Sequence, residues 1–582
     1  MKNSIMERFI YILLSASLLL IASSCKDFLD VPPQAAVDSG LLSDPENVDG
    51  LVVSAYAMLG QDHYTVPGQL WPYGDLRAGD AYKGGDGPSD ISIYHAMEVF
   101  NTIQPDMSAY APSVLGDINN KKWLRQYTAI SRVNFALRVL NEMDPSIYPL
   151  RNQRIAEMHF LRGHYYFDLK ILYKFIPWID ENASVEEIIA TTNREFTDQQ
   201  LWDKIIAEFR LAVDGLSDTQ KDLGRPSKYT AQAYLVKALL YAAYEQNDDH
   251  QVISINTANL EEVVGLVSDI ENSGSFALEQ DFANPFLYEY ENGSESVWAI
   301  QRSHDDGTTT GNIDFGSALN NPMSTEFGCC GFHIPSQNLA NAFKTGANGL
   351  PQFDSFNQSD IDILTETVDP RLDHTIAQPD KPWKYETSII YNVADWSRQP
   401  GIYGPFSSLK ENESPNCECF EQIPPFMSTS KNTILIRYAD VLLWKAEALI
   451  ELGRHTEALP IINSIRQRAR NSTTLLQYAN GDPLSNYLIN DYDGSNWTQE
   501  YARQALRWER RLELALEGHR FFDLVRWGIA AESLNQYLIV EKTKREYLES
   551  ALFEAGKHEY LPIPQQQIDL SNNEYTQNRG YN

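Results

Sequence analysis

Residues 438–470 constrain the fold more than any other stretch of this chain. A helical run from Tyr438 to Leu452 is followed by a Gly453-Arg454 turn and a second run from His455 to Arg470, in which Ala458, Ile461, Ile462, Ile465 and Ala469 recur at three- and four-residue spacing. A second stripe, Leu235, Ala238, Leu239 and Ala242, follows Thr230, which the pattern places as the helix cap. A helix with one apolar face must bury it against another element. Two such faces joined by a two-residue turn therefore predict a helix packed on a helix.

Within that pair, Ala446, Leu449, Gly453, Ala458 and Ile462 stand where a tetratricopeptide unit needs small or apolar residues for close helix crossing. Helix pairs near 121–174 and 200–270 follow the plan less regularly. Residues 275–435 differ in kind, being rich in Gly, Pro, Asn and Asp with only short strand-like runs such as Ser296–Gln301. No long Gly/Ser or single-sign charge run divides the chain into beads. The expected fold is mainly α: one composite domain over 25–582, an irregular tetratricopeptide-type bundle mainly at 40–270 and 436–582, and a loop-rich half at about 275–435.

Residues 1–24 read as a lipoprotein export signal. A basic start (Lys2, Arg8) precedes an apolar run from Phe9 to Ala22, and small residues stand just before Cys25. Cleavage there frees the Cys25 amine and thiol for acylation, and several acyl chains anchor where one does not. Loss of Lys2, Arg8 and Glu7 moves the formal charge from −32 to −33. Nucleic acid and anionic membrane surfaces are poor partners for so acidic a chain. Tethering must come from the lipid.

Five blocks carry a resemblance. CKDFLD from Cys25, AEMHFLRGHYYFDLKILYKFIPW at 156–178, IRYADVLLWKAEALIELGR at 436–454, ERRLELALEGHRFFDLVRWG at 509–528 and EYLPIPQQQIDLSNNEYTQNRGY at 559–581 together resemble the SusD/RagB family. The resemblance implies a SusD-like, lipid-anchored outer-membrane protein of Bacteroidota that captures oligosaccharides and lids a SusC-like TonB-dependent transporter. RagB-like relatives imply peptide capture as the alternative. Lys26-Asp27 is less acidic than the densest surface-export cues, which leaves the cell surface and the inner leaflet of the outer membrane both open. The blocks are scaffold, so the identity of the glycan does not transfer.

Enzyme signatures are missing from the sequence: it has no GxSxG, HExxH, P-loop or Rossmann glycine pattern. A surface glycosidase needs only two carboxylates, and 79 Asp and Glu residues supply pairs by chance. Glu509, Glu513 and Glu517, interleaved with Arg510, Arg511 and Arg520, read as a structural ion network. His159 and His164, five apart, do not share a helix face as metal ligands would. Asp491, Asp493, Gly494 and Glu500 match part of a calcium loop, but Ile489 occupies the first ligand position. No catalytic residue, metal or cofactor is expected.

Sugar capture needs flat apolar faces ringed by hydrogen-bonding groups. Three loop regions supply the mixture. The first, Gln61–Asp90, offers Asp62, His63, Trp71 and Asp86. The second is Gly328-Cys329-Cys330-Gly331, where a vicinal disulfide flanked by glycines would form a rigid plate; a reduced pair, or separate bridging to Cys417 and Cys419, is the alternative. The third, Lys381–Phe406, carries Trp383, Trp396, Arg398 and Tyr403 without helical or strand periodicity. Trp298, Trp444, Trp508 and Trp527 are expected to be structural.

Overall fold

The computed structural model describes residues 44–581 except 67, 111–115 and 309–310. The export signal and Cys25 lie outside the described residues. The chain divides into two units, Met1–Gly50 and Leu51–Asn582. Of the first, the described residues are Asp44 and the opening of a helix that covers Pro45–Gly60. No helix among the described residues is long and apolar enough to cross a membrane.

The second unit is built on a run of packed helices: α1 (Ile118–Glu142), α2 (Arg151–Tyr173), α3 (Asp198–Gly215), α4 (Lys228–Ala243), α5 (Thr257–Ser273), α6 (Tyr438–Glu451), α7 (His455–Asn471) and α8 (Gln499–Glu513). Each packs on the next in this order, and α6 also meets α8. The run thus passes from α5 to α6 across the loop-rich half. Side chains set the starts: Asp117 accepts from the amides of Asn119 and Asn120, and Thr197 closes a capping box with Gln200. For α4 the cap is Ser227, accepting from the Thr230 amide, so Thr230 lies inside the first turn. Gly453 also serves differently from its expected role. Its φ is +76° and a Cβ there would meet nothing within 4 Å, so it turns the chain between α6 and α7, while Ala446, Leu449, Ala458 and Ile462 fill the crossing.

The half between α5 and α6 carries short strands, among them β1 (Ser296–Ile300), β2 (Phe332–Pro335), β3 (Phe420–Ile423), β4 (Phe426–Thr429) and β5 (Thr433–Arg437). All sheets among the described residues are two-stranded. β1 pairs antiparallel with β5 and β3 with β4, while β2 pairs antiparallel with Ala81–Gly84 from before the helices. Such ribbons cannot build a core of their own. Rings supply it: Phe327, Trp383, Tyr391 and Trp396 pack in one cluster with Ala377 and Leu409.

A buried ion network joins the halves. Arg371 of the loop half reaches Glu509 at 2.8 Å and Glu513 at 3.2 Å; Arg437, from the end of β5, reaches Glu513 at 2.5 Å and Glu295 at 2.9 Å. Arg466 pairs with Glu509, and Arg468 with Glu513 and Glu295. The glutamates do form a structural network, but with distant arginines rather than the interleaved ones. Arg510 pairs with Asp440 and Asp523, and Arg511 with Asp80. Glu517 lies beyond the end of α8 and pairs with Arg437 and Lys410. Burial works against the Glu513 charge, yet Arg468, Arg437 and Arg371 outweigh it and hold the carboxyl far below its usual range.

Candidate functional site

The three loop regions meet at one surface. Gly331 accepts a 2.7 Å hydrogen bond at its carbonyl from the Gly85 amide, and a Cβ on Gly84 (φ +81°) would fall 2.2 Å from that carbonyl. Glycine is required at this contact. The Cys329 and Cys330 sulfurs pair with each other, as do those of Cys417 and Cys419, so each bridge is local. Cys329 stays half-exposed while Cys330 is buried.

On one side of the disulfide stands a charged edge. Arg398 holds Asp90 at 2.9 Å and Asp86 at 3.6 Å, and Gln399 donates to Asp86 at 2.6 Å. All four keep some exposure. Lys83 shapes this loop from within, donating to the carbonyls of Gly84, Gly87 and Asp90. Burial pushes its ammonium down to about 8.

On the other side lies a run of rings that sequence reasoning missed apart from His63. His63 stacks on Tyr64 at 4.4 Å between centroids and on Phe315 at 5.5 Å, and Tyr64 leans on Phe426 at 5.1 Å. All four are half-exposed. Phe426 stands beside the disulfide loop, because a Cβ on Gly328 would lie 2.8 Å from the carbonyl of Pro425. The Tyr64 amide donates to Phe315 and the Asp314 amide to Thr429, so backbone bonds fix the spacing of the rings. Such rings offer stacking faces and the charged edge offers donors and acceptors.

The remaining predicted contacts sit elsewhere. Trp383 is 0% exposed and donates its indole N–H to the Glu413 carbonyl, and Trp396 packs against it. Neither presents a free ring face at the surface; they are the floor of the disulfide loop through Phe327. Tyr403 is buried against Tyr82 and Ile334. Asp62 is a loop brace, accepting from the amides of Gly68 and Gln69. Trp71 is also buried. Its indole packs on Tyr94 and His333, and it lines a pocket.

His333, beneath Trp71, is fully buried with Asp75 at 3.1 Å and Glu411 at 2.6 Å. Burial alone would lower its pKa, but the Glu411 charge and the two carboxylate hydrogen bonds push it up to about 10. The other histidines singled out are engaged too: His159 with Glu208, and His164 with the Tyr234 hydroxyl. In the calcium-like stretch, Asp491 binds Arg470 and Gln467, and Asp493 accepts from Ser495.

Two family models match the chain, one described as the SusD family over residues 294–581 and one as starch-binding associating with outer membrane over residues 27–240. SusD-like protein P25 of Formosa agariphila is 23% identical over 94% of both chains. SusD-like protein P2 of the same organism is 24% identical over 79% of this chain and 80% of its own. Among solved structures, a laminarin-binding SusD-like protein superposes with a TM-score of 0.64 at 22% identity, covering 93% of this chain and 100% of its own. Surface glycan-binding protein A of Bacteroides thetaiotaomicron, solved with laminarihexaose, superposes with a TM-score of 0.61 at 20% identity, covering 92% and 99%.

Proposed function

The chain belongs to the SusD-like family, and on that premise we propose that it captures glycans at the platform formed by His63, Tyr64, Phe315, Phe426 and the Cys329–Cys330 disulfide. The observation that carries the reading is that the Cys329–Cys330 loop has the half-exposed rings beside Gly328 and the Arg398–Asp86–Asp90 edge beside Gly331. Pyranose rings stack their C–H faces on aromatic faces, and hydroxyls both donate and accept. Arg398 donates, Asp86 and Asp90 accept, and the rings across the disulfide offer the stacking faces. The platform binds and orients; it needs no proton transfer and no covalent step.

Around this chemistry the chain acts as a lipoprotein held to the outer membrane through Cys25 and exposed at the cell surface. It delivers its glycan to a SusC-like TonB-dependent transporter. The family description that mentions outer-membrane association supports the location, and the resemblance in the export and scaffold blocks supports the partner. Calorimetric titration with a panel of soluble polysaccharides, laminarin first, tests the reading, with product analysis of each mixture. Saturable binding without cleavage is the expected result. Cleavage would make the chain an enzyme, and binding of peptides in place of every glycan would make it a peptide carrier.

A further inference from the structure

Behind the platform lies a partly open pocket of about 180 Å³. Its outer wall includes Asp314, Ser317 and Thr429, which flank Phe315 and close the strand begun by Phe426. Its inner wall comes from the helical scaffold: His164 and Asp168 on α2, Tyr234 and Lys237 on α4. The volume is several times the ~30 Å³ that one water occupies in the liquid. It is smaller than the roughly 300–1,000 Å³ of sites for larger ligands. One small ring fits that range.

The wall is chemically mixed. Lys237 is 7% exposed, yet its ammonium makes no hydrogen bond with the described residues. The carboxylates whose charge it feels, Asp440, Asp168 and Asp523, are held by other cations: Asp440 and Asp523 by Arg510, Asp168 by Lys122. His164 shares its Nδ1 with the Tyr234 hydroxyl at 3.1 Å, and its other ring nitrogen makes no hydrogen bond with the described residues. Burial lowers its pKa to about 4, so the ring is neutral at pH 7. Apolar surface comes from Trp71, Ile300, Ile434 and Leu516. Cationic and anionic side chains line the cavity in equal number, which favours a neutral occupant over an ion. The Phe167 and Tyr234 rings lie 5.1 and 5.9 Å from the ammonium and stabilise its charge without accepting a hydrogen bond, so its N–H donors stay available to an occupant.

We propose that this pocket is a second binding site, for one small neutral polyol the size of a single sugar ring. Lys237 and His164 bind its hydroxyls, and Trp71 and Ile434 cover its apolar face. The proposal rests on the reading of the chain as a glycan binder, but its site is separate from the platform. Saturation-transfer NMR of the full chain in detergent, with D-glucose as the probe, tests it. The expected result is saturable transfer that Lys237→Met weakens fivefold or more and that Ile434→Phe abolishes by filling the pocket. Thermal unfolding monitors each variant, and Lys237→Met decides if Ile434→Phe does not fold. No saturable transfer from the parent chain, or transfer that survives the pocket variants, overturns the proposal. Failure of every polysaccharide in the panel to bind while glucose still fills the pocket would remove the platform reading and leave this one standing.

Discussion

The seam around Glu513 and the platform around Phe426 use the same kinds of residue to opposite ends. At the seam, Arg371, Arg437 and Arg468 surround one carboxylate with almost no water. At the platform, Arg398 meets Asp86 and Asp90 while all three remain open to solvent. A buried charge deprived of its partner is far costlier than an exposed one. The first arrangement therefore fixes how helices and loops join. The second leaves its hydrogen-bonding groups free to exchange partners.

Breaking the seam should have the largest effect. Glu513→Gln leaves three arginines short of a counter-charge and should lower unfolding free energy by about 3–5 kcal/mol in urea titrations. Glycan affinity of the folded fraction should stay within twofold. Next comes pH. The pKa of His333 is raised from 6.5 to about 10, so its contribution is full below pH 6.5 and is lost as pH rises through 10. Denaturation across pH 7–10 should show a loss of about 2–4 kcal/mol that His333→Gln removes.

A smaller change sharpens the comparison among the rings. Trp383→Phe shrinks a buried side chain and abandons its bond to Glu413, and should cost about 1–3 kcal/mol in stability with glycan binding unchanged. Smallest of all, Arg398→Ala should leave stability within about 0.5 kcal/mol. It should weaken glycan binding by roughly threefold to tenfold, or about 0.7–1.4 kcal/mol, by calorimetry.

The helical half was readable because its signals are local. Spacing marked α6 and α7 to within a residue, and the glutamate ladder announced a network although its partners came from elsewhere. Thr230 misled because Ser227, three residues earlier, offers the same capping chemistry. The loop half was harder for a physical reason. Where strands pair only in twos, aromatic residues must form the core, so lack of periodicity in Trp383, Trp396 and Tyr403 did not signify exposure. Conversely, Tyr64, Phe315 and Phe426 come from three stretches far apart in the chain and meet only in three dimensions. The one local signal was His63 beside Tyr64. Arg398, Asp86 and Cys329 were found from composition, but their meeting depends on the backbone contact between Gly85 and Gly331.

The most direct test of the account is calorimetry on the Tyr64→Ala/Phe426→Ala double variant beside the parent chain, using whichever glycan the parent binds, with unfolding midpoints recorded for both. Affinity should fall tenfold or more, a loss of at least about 1.4 kcal/mol, while the midpoints stay close. Unchanged affinity in a folded double variant would contradict the account and move the glycan site away from these rings.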